Sequence, residues 1–228
     1  MPPSPTLRLR PGAPADVEAM CETVLDAFSG NMVGRTFFPR ASASARRFWL
    51  DALADEVHDP GARFVVIEED TRSSTSPPEL PAAPAVVAFA KWNAPVAAPD
   101  TPQPPLPDNW PVDGDPALAD VFFKKLADMH EGIMGGRPHW YLEMIVTKGR
   151  YQGQGAGGML MAWGVDKADE EGVECYLDAT PEGKKLYERF GFKDRETWPF
   201  FNQTYRHSFM VREATRKNFA NETSQPQA

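Results

Sequence analysis

A glycine-rich segment, GRYQGQGAGGMLMAWG, places six glycines between Gly149 and Gly164. Glycine leaves the main-chain amides uncovered, and successive uncovered amides at the start of a helix form a binding site for an anion. The apolar run before this segment predicts a strand, and the pattern after it predicts a helix from Ala156. The segment therefore predicts a phosphate site at a turn between a strand and a helix.

Two nucleotide-binding motifs resemble this segment. A triphosphate-binding loop ends in Gly-Lys followed by Ser or Thr, and the sequence reads GAGG at 155–158 instead, which excludes it. The dinucleotide motif Gly-x-Gly-x-x-Gly is met by Gly153, Gly155 and Gly158, and Asp178 follows about twenty residues later. Because the unit comes late and too little chain follows for a doubly wound sheet, dinucleotide binding is a minor alternative.

The elements that would position this turn alternate between strands and helices. Alternating or continuous apolar runs predict strands over residues 7–10, 62–70, 85–93, 139–146 and 173–179, with a final pair within 197–213. Helical spacing predicts helices over residues 17–28, 42–57, 116–135, 156–170 and 181–192. This order predicts an α/β fold with one mixed sheet flanked by helices.

The distribution of proline and polar residues predicts the domain organisation. The chain has 228 residues, and its 23 prolines concentrate in two stretches. We expect one domain over 1–213, with proline-rich insertions at about 72–84 and 94–115. Residues 214–228 are expected to form a polar tail.

Charge and cysteine content exclude several functional classes. The net charge is −8, from 24 basic and 32 acidic residues, which argues against nucleic acid as a partner. The two cysteines are too few for a disulfide framework or a zinc site, so we expect no metal. We also expect no membrane segment and no signal peptide, and therefore a cytoplasmic or nuclear protein.

The stretch RYQGQG resembles the R/Q-x-x-G-x-G/A signature of the GNAT superfamily of acetyl-coenzyme A-dependent N-acetyltransferases. Arg150, Gly153 and Gly155 stand at its fixed positions. LRLRPGAPADVEAM resembles the first strand and helix of that superfamily, and YLDATPEGKKLYERFGF its closing strand and ending, so the resemblance covers about residues 6–212. The long proline-rich connections are similar to insertions of fungal, small-molecule members.

This resemblance implies the GNAT acyl-coenzyme A N-acyltransferase fold. Its central sheet is mostly antiparallel, but the strands at 139–146 and 173–179 run parallel and splay apart. The resemblance also implies acetyl-coenzyme A as co-substrate, with its pantetheine arm along residues 144–146. The residues implied in binding it are Ile145, Val146, Arg150, Gln152, Gly153, Gln154, Gly155, Ala156, Gly157 and Tyr187. A backbone amide of Ile145 or Val146 is expected to polarise the thioester carbonyl.

Two side chains are candidates for acid–base catalysis. Tyr187 matches the tyrosine that many family members place beside the thioester sulfur, and it is the expected proton donor to the departing thiolate. Glu143 is the one carboxyl in a strand expected to be buried, where it would share a face with Tyr141 and Ile145. Since burial disfavours a charged carboxylate, Glu143 is the expected general base.

The acceptor site is less constrained by motifs. His139 is the histidine expected nearest to it, whereas Cys175 is expected to be an ordinary core residue. Six aromatic residues lie in the segments that should form the acceptor pocket, and one or two should line it: Phe28, Phe37, Phe38, Trp92, Trp110 and Trp198. The favoured function is acetyl transfer to a primary amine of a small molecule by a monomer or homodimer. A protein acetyltransferase and a non-catalytic acyl-coenzyme A-binding module are the alternatives.

Overall fold

The computed structural model describes residues 6–69, 85–95, 106–201 and 205–215. The first predicted insertion, at 72–84, lies outside the described residues, as do 96–105 of the second insertion and 216–228 of the tail.

Within these described ranges, seven strands form one mixed sheet in the order β1-β2-β3-β4-β5-β7-β6. The strands are β1 (Leu7–Pro11), β2 (Ala62–Glu69), β3 (Val86–Asn93), β4 (His139–Thr147), β5 (Glu174–Ala179), β6 (Lys193–Phe200) and β7 (Tyr205–Arg212). All neighbouring pairs are antiparallel except β4 and β5. The predicted mixed sheet is therefore confirmed.

In the part of the chain that the structure describes, six α-helices flank the sheet. They are α1 (Val17–Phe28), α2 (Met32–Phe37), α3 (Ala43–Glu56), α4 (Pro116–Met134), α5 (Ala156–Glu171) and α6 (Lys184–Arg189). One apolar layer lies between the sheet and α1, α3 and α4, and a second lies between the sheet and α5. This arrangement explains why β3 is buried at every residue but its last.

Helix α2 was not predicted from the sequence. It has only six residues, which is too short to show a helical period, and it begins because the Asn31 side chain accepts a hydrogen bond from the Gly34 amide at 2.8 Å. Strand β6 begins at Lys193, whereas the sequence predicted a start near Thr197. The first residues of β6 were missed because they are exposed and polar and show no apolar alternation.

Strand β4 contains a bulge that separates it from β5. Lys91 of β3 pairs with Met144, and the next residue, Trp92, pairs with Leu142, so Glu143 is the extra residue. The parallel pairing of β4 with β5 ends at Leu142 and Leu177. Since a bulge bends its strand, β4 and β5 diverge beyond this point and leave a wedge-shaped gap.

Helix α5 packs closely against β3 through a glycine. A Cβ on Gly164 would lie 2.1 Å from the Trp92 ring, and Trp92 is fully buried. The Trp92 indole N–H also donates to the Leu160 carbonyl at 3.3 Å, which fixes the ring against the helix. Gly164 therefore sets the distance between α5 and the sheet.

Substitution Gly164→Ala should lower the free energy of unfolding by about 1–3 kcal/mol, because the methyl group overpacks a fixed ring. Gly132→Ala is the matched control in α4, where a Cβ would meet nothing within 4 Å; helix propensity predicts no loss and a gain of up to about 1 kcal/mol. Urea unfolding measures both variants. Equal stability of the two would contradict this account of the α5 packing.

Candidate active site

A cleft of about 1370 Å³ opens between the diverging ends of β4 and β5. The turn before α5, helix α6 and parts of α1, α3 and α4 complete its walls. Pockets for one small ligand usually measure about 300–1,000 Å³, so this cleft has room for two reactants.

The glycine turn forms one end of the cleft. Gly153 and Gly155 adopt positive φ angles of 74° and 95°, which side-chain-bearing residues rarely adopt, and a Cβ at either would point into open space. Within the described part of the chain, the amides from Gly153 to Gly157 donate no hydrogen bond, as expected before and in the first turn of a helix. The open space, the free amides and the positive end of α5 together fit a phosphate group.

The backbone amides of Ile145 and Val146, one of which was expected to polarise the thioester carbonyl, point to opposite sides of β4. The Lys148 amide donates to the Val87 carbonyl at 2.9 Å, so in this antiparallel register the Val146 amide also points to β3. The Ile145 amide points the other way, toward the gap left by β5. Of the two, Ile145 is therefore the amide available to a carbonyl in the cleft.

Three polar residues of the turn adopt different positions. The Gln152 side chain donates to the Thr147 carbonyl at 3.1 Å, and Gln152 lines the cleft. The Gln154 side chain turns back to the Arg150 carbonyl at 2.7 Å, and the Arg150 guanidinium lies over the Tyr151 ring at 4.7 Å. Arg150 and Gln154 do not line the cleft, so their side chains brace the turn.

Tyr187 lies on α6 and lines the cleft beside the diverging strands. It is 7% exposed, and its hydroxyl makes no hydrogen bond with the residues that the structure describes. Burial raises the pKa of Tyr187, and the nearby charge of Asp178 raises it further. The phenol thus stays protonated near neutral pH and has a hydrogen to donate.

The expectation that Glu143 is buried is wrong. Its side chain is 33% exposed, accepts a hydrogen bond from the Asn93 amide at 2.7 Å and pairs with the Lys91 ammonium at 2.8 Å. The expected shared face is also wrong, because the bulge breaks the alternation: Tyr141 packs on the α4 side and Ile145 on the α5 side. Glu143 still lines the cleft.

Lys91 is buried between two carboxylates of the cleft wall. Its ammonium lies 3.0 Å from Glu56 and 2.8 Å from Glu143. Burial raises the pKa of Glu56, and the charge of Glu143 adds to the effect, while Lys91 opposes it. The Glu143 and Glu56 carboxylates therefore share one cation at the cleft wall.

Asp178 is a cleft residue that sequence reasoning considered only for dinucleotide binding. It follows the last residue of β5 that pairs with β4, and it lines the cleft. Its two carboxylate oxygens accept hydrogen bonds from the Tyr176 hydroxyl at 2.8 Å and the Tyr141 hydroxyl at 2.9 Å. Burial raises the pKa of Asp178 to about 7, and the charge of Glu143 contributes, although the two phenols oppose the shift.

Two histidines lie next to these tyrosines. His130 stacks on Tyr176 at 4.3 Å, and its Nε2 is 2.6 Å from Nε2 of His139. Burial lowers the pKa of His130 to about 3 and also lowers that of His139, so both rings are neutral. His139 Nδ1 is 2.7 Å from the Arg137 carbonyl and must donate to it, so His130 Nε2 donates to His139. His130, His139 and His207 all line the cleft.

The aromatic candidates divide between the cleft and the core. Phe28, Phe38 and Trp110 line the cleft, whereas Phe37, Trp92 and Trp198 do not. Trp110 lies in the second proline-rich stretch, where it stacks on Phe123 of α4 at 4.8 Å.

Both cysteines are buried, and burial raises the pKa of the Cys175 thiol to about 12, which is typical of an inert core residue. Within the described ranges, no group of three or more metal-ligating side chains occurs. None of the helices seen there combines the length and hydropathy needed to cross a membrane.

This chain resembles one known family in sequence and several solved structures in fold. Residues 106–192 match the model of the Acetyltransferase (GNAT) family. The fold resembles a crystal structure described as histone acetyltransferase HPA2 and related acetyltransferase from Corynebacterium glutamicum, at 21% identity and TM-score 0.62, over 93% of this chain and 99% of that one.

Two further structures share the fold. A PaiA N-acetyltransferase from Thermoplasma acidophilum in complex with coenzyme A has 13% identity and TM-score 0.52, over 91% of this chain and 99% of that one. A ribosomal-protein alanine N-acetyltransferase from Escherichia coli has 13% identity and TM-score 0.54, over 95% and 99%. Residues 106–192 thus resemble the GNAT acetyltransferase family in sequence, and the whole described fold resembles these acetyltransferase structures. These matches do not support a fungal, small-molecule branch.

The burial of His207, a histidine that lines the cleft, predicts how the stability of the fold depends on pH. His207 is 3% exposed, its Nε2 has no hydrogen-bond partner among the described residues, and burial lowers its pKa to about 4. The unfolded chain therefore takes up this proton first as the pH falls below about 6.5, and stability is lost between about 6.5 and 4.

Substitution His207→Phe should remove that loss, because Phe cannot be protonated. The unfolding free energy of the variant relative to wild type should rise by about 2 kcal/mol from pH 7 to pH 4.5, whatever the offset at pH 7. Chemical unfolding at both pH values measures it, with His58→Gln at an exposed histidine as control. Parallel pH curves for wild type and His207→Phe would contradict the prediction.

Proposed function

We propose that this protein is an acetyl-coenzyme A-dependent N-acetyltransferase that acts on a primary amine of a small molecule by direct transfer. The observation that carries the proposal is the gap beyond Leu142 and Leu177, which connects the open glycine turn to the unpaired Ile145 amide and to Tyr187. This is the geometry needed to hold a long phosphate-bearing thioester with its carbonyl at one defined place.

Each protein group proposed to contact acetyl-coenzyme A has a separate role. The amides from Gly153 to Gly157 hold the pyrophosphate of coenzyme A, and the Ile145 amide donates to the thioester carbonyl, where negative charge develops. The proposed binding set also keeps Val146, Arg150, Gln152 and Gln154, the last three as supports of the turn. Tyr187 donates a proton to the sulfur as it leaves.

The walls of the cleft favour a cationic acceptor with an apolar part. Among the described residues that line the cleft, acidic side chains outnumber basic ones, so an ammonium group is attracted. The acids are Glu56, Asp59, Glu131, Glu143, Asp178 and Glu182, and the bases are Lys91, Arg137 and Arg189. Phe38 and Trp110 supply aromatic surface on the same wall. A protein substrate is the second candidate, because similar folds include a ribosomal-protein alanine N-acetyltransferase. We propose a single domain over 1–213, acting in the cytoplasm or nucleus as a monomer or homodimer.

The test is acetyl-coenzyme A turnover, read as release of free thiol, with four acceptors: n-butylamine, 2-phenylethylamine, spermidine and a lysine-containing tetrapeptide. Amine-dependent thiol release with a small amine is expected. Release with the peptide alone would support the protein-directed alternative. Tight binding of coenzyme A with no release for any acceptor would overturn the enzyme assignment in favour of a binding module.

Substitution Gly155→Val should weaken coenzyme A binding at least about tenfold, because a β-branched residue cannot hold this positive φ and the turn must reorganise. Isothermal titration calorimetry measures the dissociation constant. Gly172→Val is the matched control: Gly172 also has a positive φ, of 69°, but it ends α5 away from the cleft. The control should lose stability yet keep its affinity, and unchanged affinity of Gly155→Val would remove the turn from the binding site.

Substitution Tyr187→Phe should lower kcat about 100-fold while the dissociation constant of coenzyme A changes less than threefold, because only the proton donor is lost. Tyr205→Phe, which removes a buried hydroxyl outside the cleft lining, is the control. Steady-state kinetics and calorimetry separate the two effects. A normal kcat for Tyr187→Phe would exclude its role as the acid.

A further inference from the structure

The two carboxylates at the point where β4 and β5 separate have different surroundings. Glu143 is paired with the Lys91 ammonium and bonded by Asn93, and it is partly open to solvent. Among the described residues, Asp178 is bonded only by the neutral phenols of Tyr141 and Tyr176. Glu143 is thus already neutralised by a cation, whereas neutral donors hold Asp178 in a buried site, and burial raises the pKa of Asp178.

The strand register places Asp178 at the apex of the gap. Leu177 is the last β5 residue paired with β4, Asp178 follows it, and the bulge at Glu143 moves β4 away on the opposite side. The carboxylate of Asp178 is only partly exposed and faces the cleft. It is also close enough to Tyr187 for its charge to raise the pKa of that phenol.

The hydrogen bonds of Asp178 leave it able to accept a proton. Each carboxylate oxygen has two acceptor positions, and one phenol occupies one position on each oxygen. Both phenols are fixed: Tyr176 is fully buried and stacked on His130, and Tyr141 lies 4.4 Å from the same ring. The carboxylate is therefore held in one orientation with acceptor positions unused by the protein.

From this geometry we infer that Asp178, and not Glu143, removes the proton from the acceptor ammonium. This inference rests on the proposed function. The Asp178 carboxylate takes one proton from R–NH3⁺ and later releases it to solvent through the cleft. The free amine then attacks the thioester carbonyl, so that the C–N bond forms and the C–S bond breaks. The thiolate receives a proton from Tyr187, which regains one from the nitrogen of the adduct.

Several charged or titratable groups face Asp178 and set the pH at which it works. They are Tyr141 and Glu143 on β4, Tyr176 on β5 and Tyr187 on α6, with His130 of α4 behind the two bonded phenols. Since the pKa of Asp178 is raised to about 7, kcat/KM should rise with pH up to about 7 as the carboxylate loses its proton.

The main experiment is a pH profile of kcat/KM for wild type and Asp178→Asn, with the amine from the four-acceptor panel that is used best. At pH 7 the kcat/KM of the variant should be at least about 100-fold lower than that of wild type, and the rise of kcat/KM with pH below pH 7 should disappear. The loss should shrink near pH 10, where amines lose their proton in solution. Coenzyme A affinity should stay within twofold. Asp128→Asn, at an exposed acid of α4 that does not line the cleft, is the matched control.

Two further variants test whether Asp178 acts as the base or has only a structural role. Glu143→Gln removes a charge that raises the pKa of Asp178, so the rise in kcat/KM should persist and move to lower pH. Tyr141→Phe removes a hydrogen bond that lowers this pKa, so the rise should move to higher pH. Loss of the rise in Glu143→Gln, with its retention in Asp178→Asn, would assign the base to Glu143 and overturn the inference.

A spectroscopic measurement makes the inference testable without an acceptor. In the full-length protein labelled with ¹³C at aspartate carboxyls, the resonance missing from Asp178→Asn should titrate near pH 7. A midpoint below pH 5 would overturn the inference. If wild type releases no thiol with any amine, the proposed function fails and the inference fails with it. If wild type is active and Asp178→Asn keeps its rate at pH 7, only the inference fails.

Discussion

The separation of β4 from β5 is the constraint on which the rest of the site depends. A strand that carries one extra residue cannot keep parallel hydrogen bonds to a regular neighbour, and the extra residue here is Glu143. Past Leu142 and Leu177 the two strands therefore leave main-chain groups without partners in the sheet. In a protein interior such groups are costly unless a ligand or water satisfies them, so the backbone at the gap is suited to binding one.

The surrounding elements are positioned relative to this gap. The glycine turn follows directly from the end of β4, and the Gly149 amide donates to Asp26 of α1 at 2.7 Å, which ties the turn to the opposite wall. Helix α6 follows β5 and carries Tyr187 to the same place. The groups proposed to bind the anion, to donate to the carbonyl and to act as the acid thus belong to the two chain segments that diverge. Their spacing depends on how far those segments separate.

Much of this arrangement could be predicted from local sequence. The glycine segment, the apolar strands and the longer helices have patterns that depend on neighbouring residues alone, and the resemblance of RYQGQG to a known signature added the ligand class. The environment of Glu143 could not be predicted, because a bulge is a property of the pairing between β3 and β4. Asp178 was missed for a similar reason: its partners, Tyr141 and Tyr176, meet only through the parallel register. The six-residue α2 has too few residues to show any period.

The contact between Gly164 and Trp92 has a consequence beyond packing. A helix is a stiff rod, and Gly164 lies eight residues, or about 12 Å, from the end of α5 that faces the cleft. A side chain that pushed this part of the rod off the sheet would also tilt or displace its far end. The position of the proposed anion site therefore depends on Gly164, which does not line the cleft, and a substitution remote from the cleft is expected to change affinity for the proposed co-substrate.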